Sequence, residues 1–254
     1  MLPRTGPKAP WPASLWVVRH GESAGNVARD AAEAHGHERL DLSHRDVDVP
    51  LSELGERQAR VLGRWIADQR EDDRPTVLWT SPYVRARQTA EIALETAGLD
   101  LPGVVDERLR EREFGVLDGL TGRGIAAQYP EESARRTAIG KFYHRPPGGE
   151  SWIDVLQRLR AVLDDIRLDA DGERVLLMAH QVVVLLTRYV LEGMDEQQVL
   201  ALDADAEVLN CAVTSYRYDE PAGRLVLHRY NDSAPLEEQD ATVTGEPDAA
   251  RAPR

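Results

Sequence analysis

Three short apolar runs, Leu15 to Val18, Thr76 to Trp79 and Arg174 to Met178, constrain this chain more than any other feature. Each is too short for a helix and too uniformly apolar for a strand with one wet face. Each therefore reads as a strand buried on both sides. Helical patterns lie between them. Leu54, Val61, Leu62, Trp65 and Ile66 share one helical face behind Ser52, a residue suited to cap the start. A second helix is predicted from about Val84 to Thr96, closed by Gly98. A third, Ser151 to Leu168, puts Ile153, Leu156, Leu159, Val162, Leu163 and Ile166 on one side, and Val182 to Leu191 reads as a buried fourth. Val104-Val105 adds a short strand, and two amphipathic strands, near Cys211 to Tyr218 and Arg224 to Tyr230, flank the turn Glu220 to Gly223. The alternation predicts an α/β fold, a three-layer α/β/α sandwich around a mainly parallel central sheet.

Residues 1–13 read as a flexible lead-in, 14–231 as the folded domain and 232–254 as a disordered tail that is polar, proline-rich and without periodicity. A formal net charge of −13 argues against a nucleic-acid partner, which would need positive charge facing the phosphates. The lone cysteine, Cys211, excludes an intramolecular disulfide and a multi-cysteine metal site. His35, His37 and His44 sit in a polar loop without a clear third ligand, so no metal is expected there. The amino terminus does not read as a signal peptide, and no apolar run approaches the ~20 residues that cross a bilayer. No membrane partner and a cytoplasmic location are the expectation.

In a sheet of this kind ligands bind at the carboxyl ends of the strands. Arg19, His20, Gly21 and Glu22 follow the first strand. Thr80, Ser81 and Pro82 follow the second, with Arg85 and Arg87 on the next helical turn. Ala179, His180 and Gln181 follow the third. All but Lys8 and Lys141 of the 31 basic residues are arginines, so it is position, not frequency, that matters. Two histidines and two arginines converging on one edge of an acidic protein make a place for an anion, and guanidinium matches phosphate in a bidentate way.

At this point the residues resemble a family. Arg19-His-Gly-Glu22, with Ser23 and Asn26, is similar to the signature of the histidine phosphatase (phosphoglycerate mutase-like) superfamily. Ser81 to Ala90, Leu109 to Gly115, Pro147 to Ser151 and Met178 to His180 resemble its further motifs, in the same order. The resemblance implies that His20 is a nucleophile forming a phosphohistidine, that Arg19, Arg85 and His180 clamp the phosphoryl oxygens, and that Asn26 adds a neutral donor. It implies Glu111 as the proton donor, with Glu107 and Glu113 left open as alternatives. No metal or other cofactor is implied.

Gln181, and the stretch from Tyr129 to Ser151, resemble the fructose-2,6-bisphosphatase branch. By that resemblance Arg136, Lys141, Tyr143 and Arg145 hold a second anionic or hydroxyl group of the substrate, and Gln181 joins the phosphate site. The expected activity is metal-independent hydrolysis of a small phosphorylated metabolite, such as a sugar phosphate. A mutase-type transferase is the first alternative and a catalytically silent phospho-ligand binder the second. The partner is the small phosphorylated substrate, and a homodimer is left open. The long loop from about Asp30 to Pro50 reads either as part of a substrate lid or as a surface loop.

Overall fold

The computed structural model describes residues 11–237 and 242–245. Along β1 (Ser14–Arg19), Leu15 and Val17 pack into one core while Trp16 and Val18 pack into the other, the period of two that a doubly covered strand requires. α1 (Ala24–Ala34), α2 (Glu53–Asp68), β2 (Val77–Thr80), α3 (Val84–Ala97) and β3 (Gly103–Val105) follow. A helical cap comes next, α4 (Gly122–Gln128) and α5 (Pro130–Ile139). Then come α6 (Trp152–Asp169), β4 (Arg174–Ala179), α7 (Gln181–Glu192), α8 (Glu196–Asp205), β5 (Val213–Asp219), β6 (Arg224–Asp232) and the single turn α9 (Ala234–Glu237).

Among the described residues the sheet has six strands in the order β3-β2-β4-β1-β5-β6, parallel from β3 to β1 and antiparallel across β5 and β6. The α2–α3 pair covers one face, where Leu62, Ile66, Ala90 and Ala93 meet Val18, Leu176 and Met178. α6 and α7 cover the other, where Leu159, Val162, Val183 and Leu186 meet Val17, Val175 and Leu177. Each wholly buried Leu or Val contributes roughly 1.5–3 kcal/mol by leaving water. The three-layer α/β fold expected from the strand runs is what forms.

The ladder also sets the level of the strand ends. Arg19 lies beside Ala179 and Thr80 beside Met178. Beyond the strands, His20 N–H donates to the Ala179 carbonyl at 3.0 Å and Ser81 N–H to the Met178 carbonyl at 3.0 Å. Backbone pairing alone thus lays three motif segments side by side.

Two boundaries differ from expectation. Within the lead-in, Trp11 to Ala13 is tied down: Ala13 N–H donates to Glu173 and its carbonyl accepts from Tyr218 N–H. Residues 1–10 of the lead-in lie outside the described residues. The segment read as a disordered tail contains the end of β6 and α9, whose Leu236 is buried in the α2–α3 core. Thr242–Gly245 also returns to the domain, with Thr244 accepting from Asn210 N–H through its carbonyl. Composition concealed both contacts because each rests on one or two residues. The rest of the tail falls outside the described residues.

Candidate active site

His20 is the first residue after β1 and has no exposed surface. Its Nδ1 is 2.7 Å from the Gly21 carbonyl oxygen. A carbonyl only accepts, so Nδ1 carries the proton and the lone pair sits on Nε2. Arg85, from the first turn of α3, brings Nε–H to 3.3 Å of that Nε2. The turn is tight because Gly21 lies against α2: a Cβ there would meet the Gly55 carbonyl oxygen at 2.7 Å, and one on Gly55 would meet that of Glu22 at 1.9 Å.

His180 stands edge-on to His20, ring centroids 5.2 Å apart, and is equally buried. Its Nε2 lies 2.8 Å from Ser81 Oγ and its Nδ1 is 3.9 Å from Glu111 Oε2. Tyr83 also packs edge-on against His180, ring centroids 5.1 Å apart. Its hydroxyl donates to Glu113, and burial first, with the nearby charges of Asp46 and Glu113, holds the phenol strongly toward its neutral form. Arg19, wholly buried at the end of β1, donates to the Val208 carbonyl at 2.6 Å.

Of the three glutamates left open in sequence, Glu111 is buried, while Glu107 and Glu113 are exposed. The loop that carries Glu111 is stapled by Arg158 of α6, which donates to the carbonyls of Arg108, Arg110 and Glu111. Glu150 completes the staple by accepting from Arg158, Arg110 and the Glu113 N–H. The Pro147 to Ser151 motif therefore braces the Glu111 loop, and Ser151 caps α6.

A cavity of about 250 Å³ reaches this cluster at Arg85 and Glu111 and is lined further by Asn26, Arg29, Arg39, His44 and Asp118; His20, Arg19 and His180 lie behind its wall and do not line it. The 30–50 segment extends α1 to Ala34 and then lines the cavity, with Asp46 holding Arg85 through its carbonyl at 2.6 Å and its carboxylate at 3.0 Å. Asn26 spends its amide oxygen on Ser23, capping α1. Burial, then the charge of Asp46, raises the Asp118 carboxyl above its ordinary value.

A smaller compartment of about 40 Å³ adjoins it beneath α4 and α5, sharing Arg29, Phe114, Asp118 and Gly119 and adding Arg112, Arg136, Glu132 and His144. Of the four residues expected at a second anchor, only Arg136 lines it. Lys141 is bound to Asp203 and lies over the Trp152 ring, Tyr143 is exposed, and Arg145 is bound to Asp154. Each charged side chain has found a carboxylate on a neighbouring helix. Gln181 opens α7 next to His180 and is buried. Arg87 turns to the surface beside Glu91. Sequence reasoning missed Arg29, Asp46, Tyr83, Arg112 and Arg158, none of which follows an apolar strand directly. Among the described residues no group of three or more histidine, cysteine or acidic side chains is placed to hold a metal ion, and no helix is long and apolar enough to cross a membrane.

The model of the histidine phosphatase superfamily, branch 1, matches residues 15–233. The chain belongs to that superfamily. It is 34% identical over 191 residues to a 2,3-bisphosphoglycerate-dependent phosphoglycerate mutase of Gloeobacter violaceus, covering 74% of this chain and 79% of the relative. It is 32% identical over 187 residues to the bovine (Bos taurus) 6-phosphofructo-2-kinase/fructose-2,6-bisphosphatase 3, covering 73% of this chain and 35% of that longer protein. Among solved structures, a mycobacterial glucosyl-3-phosphoglycerate phosphatase superposes with a TM-score of 0.65 at 26% identity, covering 87% of this chain and 99% of the other. Members of the superfamily are phosphatases or mutases acting on small phosphorylated substrates, and this histidine phosphatase fold carries such an enzyme.

Proposed function

We propose that the protein hydrolyses a small phosphorylated metabolite through a phosphohistidine on His20, with no metal required. The observation that carries this reading is the His20 imidazole itself: Nδ1–H is committed to Gly21, and Nε2 is held 3.3 Å from the Arg85 guanidinium, beside His180. A neutral imidazole with its lone pair aimed among cations is a nucleophile for a phosphoryl group. Nε2 attacks phosphorus and the bond to the leaving oxygen breaks, its charge met by a proton from Glu111. Water then attacks phospho-His20, returns a proton to Glu111 and releases inorganic phosphate. Arg19, Arg85, His180 and the amide NH2 of Asn26 stabilise the phosphoryl oxygens. Arg136 and its compartment receive the rest of the substrate.

Nitrophenyl phosphate tests the chemistry. The wild type is expected to turn it over, unaffected by chelator, and to form an acid-labile phosphoenzyme. His20→Ala loses both, turnover by at least about 10³-fold. Labelled phosphate trapped on His180 in that variant overturns the assignment. A panel of fructose 2,6-bisphosphate, glucosyl-3-phosphoglycerate and 3-phosphoglycerate, drawn from the relatives' names, then ranks substrates. Isomerisation of phosphoglycerate without net release of phosphate replaces hydrolase by mutase.

A further inference from the structure

The two peptide planes that follow His20 are each pinned at both ends. In the first, the His20 carbonyl accepts from Asn210 Nδ2 at 2.9 Å and the Gly21 N–H donates to Thr89 Oγ at 3.1 Å. In the second, the Gly21 carbonyl faces His20 Nδ1 while the Glu22 N–H donates to Gln58 Oε1 at 2.8 Å. In a trans peptide the C=O and N–H point in opposite directions. Holding the Glu22 N–H therefore aims the Gly21 carbonyl at the imidazole, and that carbonyl decides which ring nitrogen keeps the proton.

Gln58 and Asn210 are both wholly buried, and both end on one residue. The Gln58 NH2 donates to the Thr244 hydroxyl at 2.9 Å and to the Thr242 carbonyl at 3.0 Å. The Thr244 hydroxyl donates its own proton to Asn210 Oδ1 at 3.0 Å, and the Thr244 carbonyl takes the Asn210 N–H. A hydroxyl is one donor and an acceptor, so a single oxygen satisfies two buried amides of opposite need. Val243 packs against the α2–α3 core, which holds the segment in place.

We propose that Thr242–Gly245 is a clasp and that Thr244 is a positioning residue for the His20 nucleophile, acting through Gln58 and Asn210. The inference rests on His20 being the nucleophile. Thr244 touches no substrate; it fixes the tautomer and aim of the ring that does. Small displacements of a reacting group cost on the order of 10²-fold in rate, so the clasp acts on kcat and leaves phosphate binding by Arg85 and Asn26 alone.

Thr244→Val removes both hydrogen-bonding roles at nearly constant volume, and Thr244→Ser keeps them. On nitrophenyl phosphate, Thr244→Val is expected to lose roughly 10- to 100-fold in kcat with little change in KM, and Thr244→Ser to recover most of it. Long-range ¹H–¹⁵N NMR of His20, identified by its loss in His20→Ala, should show the Nδ1–H tautomer in the wild type and a mixture in Thr244→Val. Unchanged kcat and tautomer in Thr244→Val overturn the clasp. So does an equal loss in both variants that tracks their Tm, because that is a packing effect. A wild type inactive on every phosphomonoester sinks the hydrolase reading instead, and the tautomer comparison still decides the clasp.

Discussion

The two compartments of the cavity are built by different means. Around His20, Arg19, Ser81 and His180 sit at a strand end or on the residue after it, and the ladder between β1, β2 and β4 sets their spacing before any side chain packs. Beneath α4 and α5 the groups come from short helices and loops, where side-chain contacts hold them: His144 faces Glu132, which also pairs with Arg135. Burial pushes the pKa of Arg112 down to about 10, which leaves it charged near neutral pH, and lowers that of Arg136. The first compartment takes its spacing from the backbone ladder, which suits a reaction that tolerates little misplacement. The second brings Arg112 and Arg136 to one wall, which suits recognition of an anionic group.

If that division holds, the largest effect after His20 belongs to Glu111. General acid help is typically ~10²–10⁴-fold and matters most for a poor leaving group. Glu111→Gln should lose that much on an alkyl phosphate and far less on nitrophenyl phosphate, measured as kcat/KM on each. Equal losses would mean that Glu111, 3.9 Å from His180, only orients that ring.

The same division explains what could be read from the chain. His20, Arg19, Arg85 and His180 were legible because an apolar strand announces where its carboxyl end falls, and the ladder does the rest. Glu111 was singled out over Glu107 and Glu113 by the motif resemblance alone, since its burial depends on Arg158 reaching across from α6. Arg145 and Lys141 were misplaced because sequence shows a cation but not the carboxylate that claims it. α1, α4, α5 and α8 passed unseen: α4 and α5 carry little apolar periodicity, and α1 starts inside the motif itself. The Thr244 contacts were invisible for the opposite reason, being three hydrogen bonds in an otherwise polar stretch.

A smaller effect should separate the compartments directly. Arg136→Ala removes the one anticipated anchor that lines the second compartment. A hydrogen bond to a charged group contributes about 1.5–3 kcal/mol, or roughly 10- to 150-fold in binding. KM for the best substrate of the metabolite panel should rise by about that factor, while kcat/KM on nitrophenyl phosphate changes little. A matching loss on both substrates would show that the two compartments are one site.

The smallest effect is a pH dependence of stability confined to the second compartment. His144 Nε2 lies 3.1 Å from Glu132, yet burial, reinforced by the charges of Arg112 and Arg136, holds its pKa below the ordinary value against the pull of that carboxylate. Above about pH 6.5 the ring is neutral in both the folded and unfolded chains and contributes no slope. As pH falls through that value the unfolded chain takes up the proton first, so it binds more protons than the folded one and stability declines. The decline ends below the folded pKa, and its slope cannot exceed about 1.4 kcal/mol per pH unit for one proton. His228 is shifted in the same direction by its own burial, so the wild-type curve alone does not isolate His144. His144→Gln keeps a donor for Glu132 and cannot titrate in this range. Its Tm should fall less than that of the wild type between pH 7 and pH 5, with the difference opening only below about pH 6.5. Parallel curves would place His144 among groups that titrate alike folded and unfolded, and the second compartment would then be less dry than its burial implies.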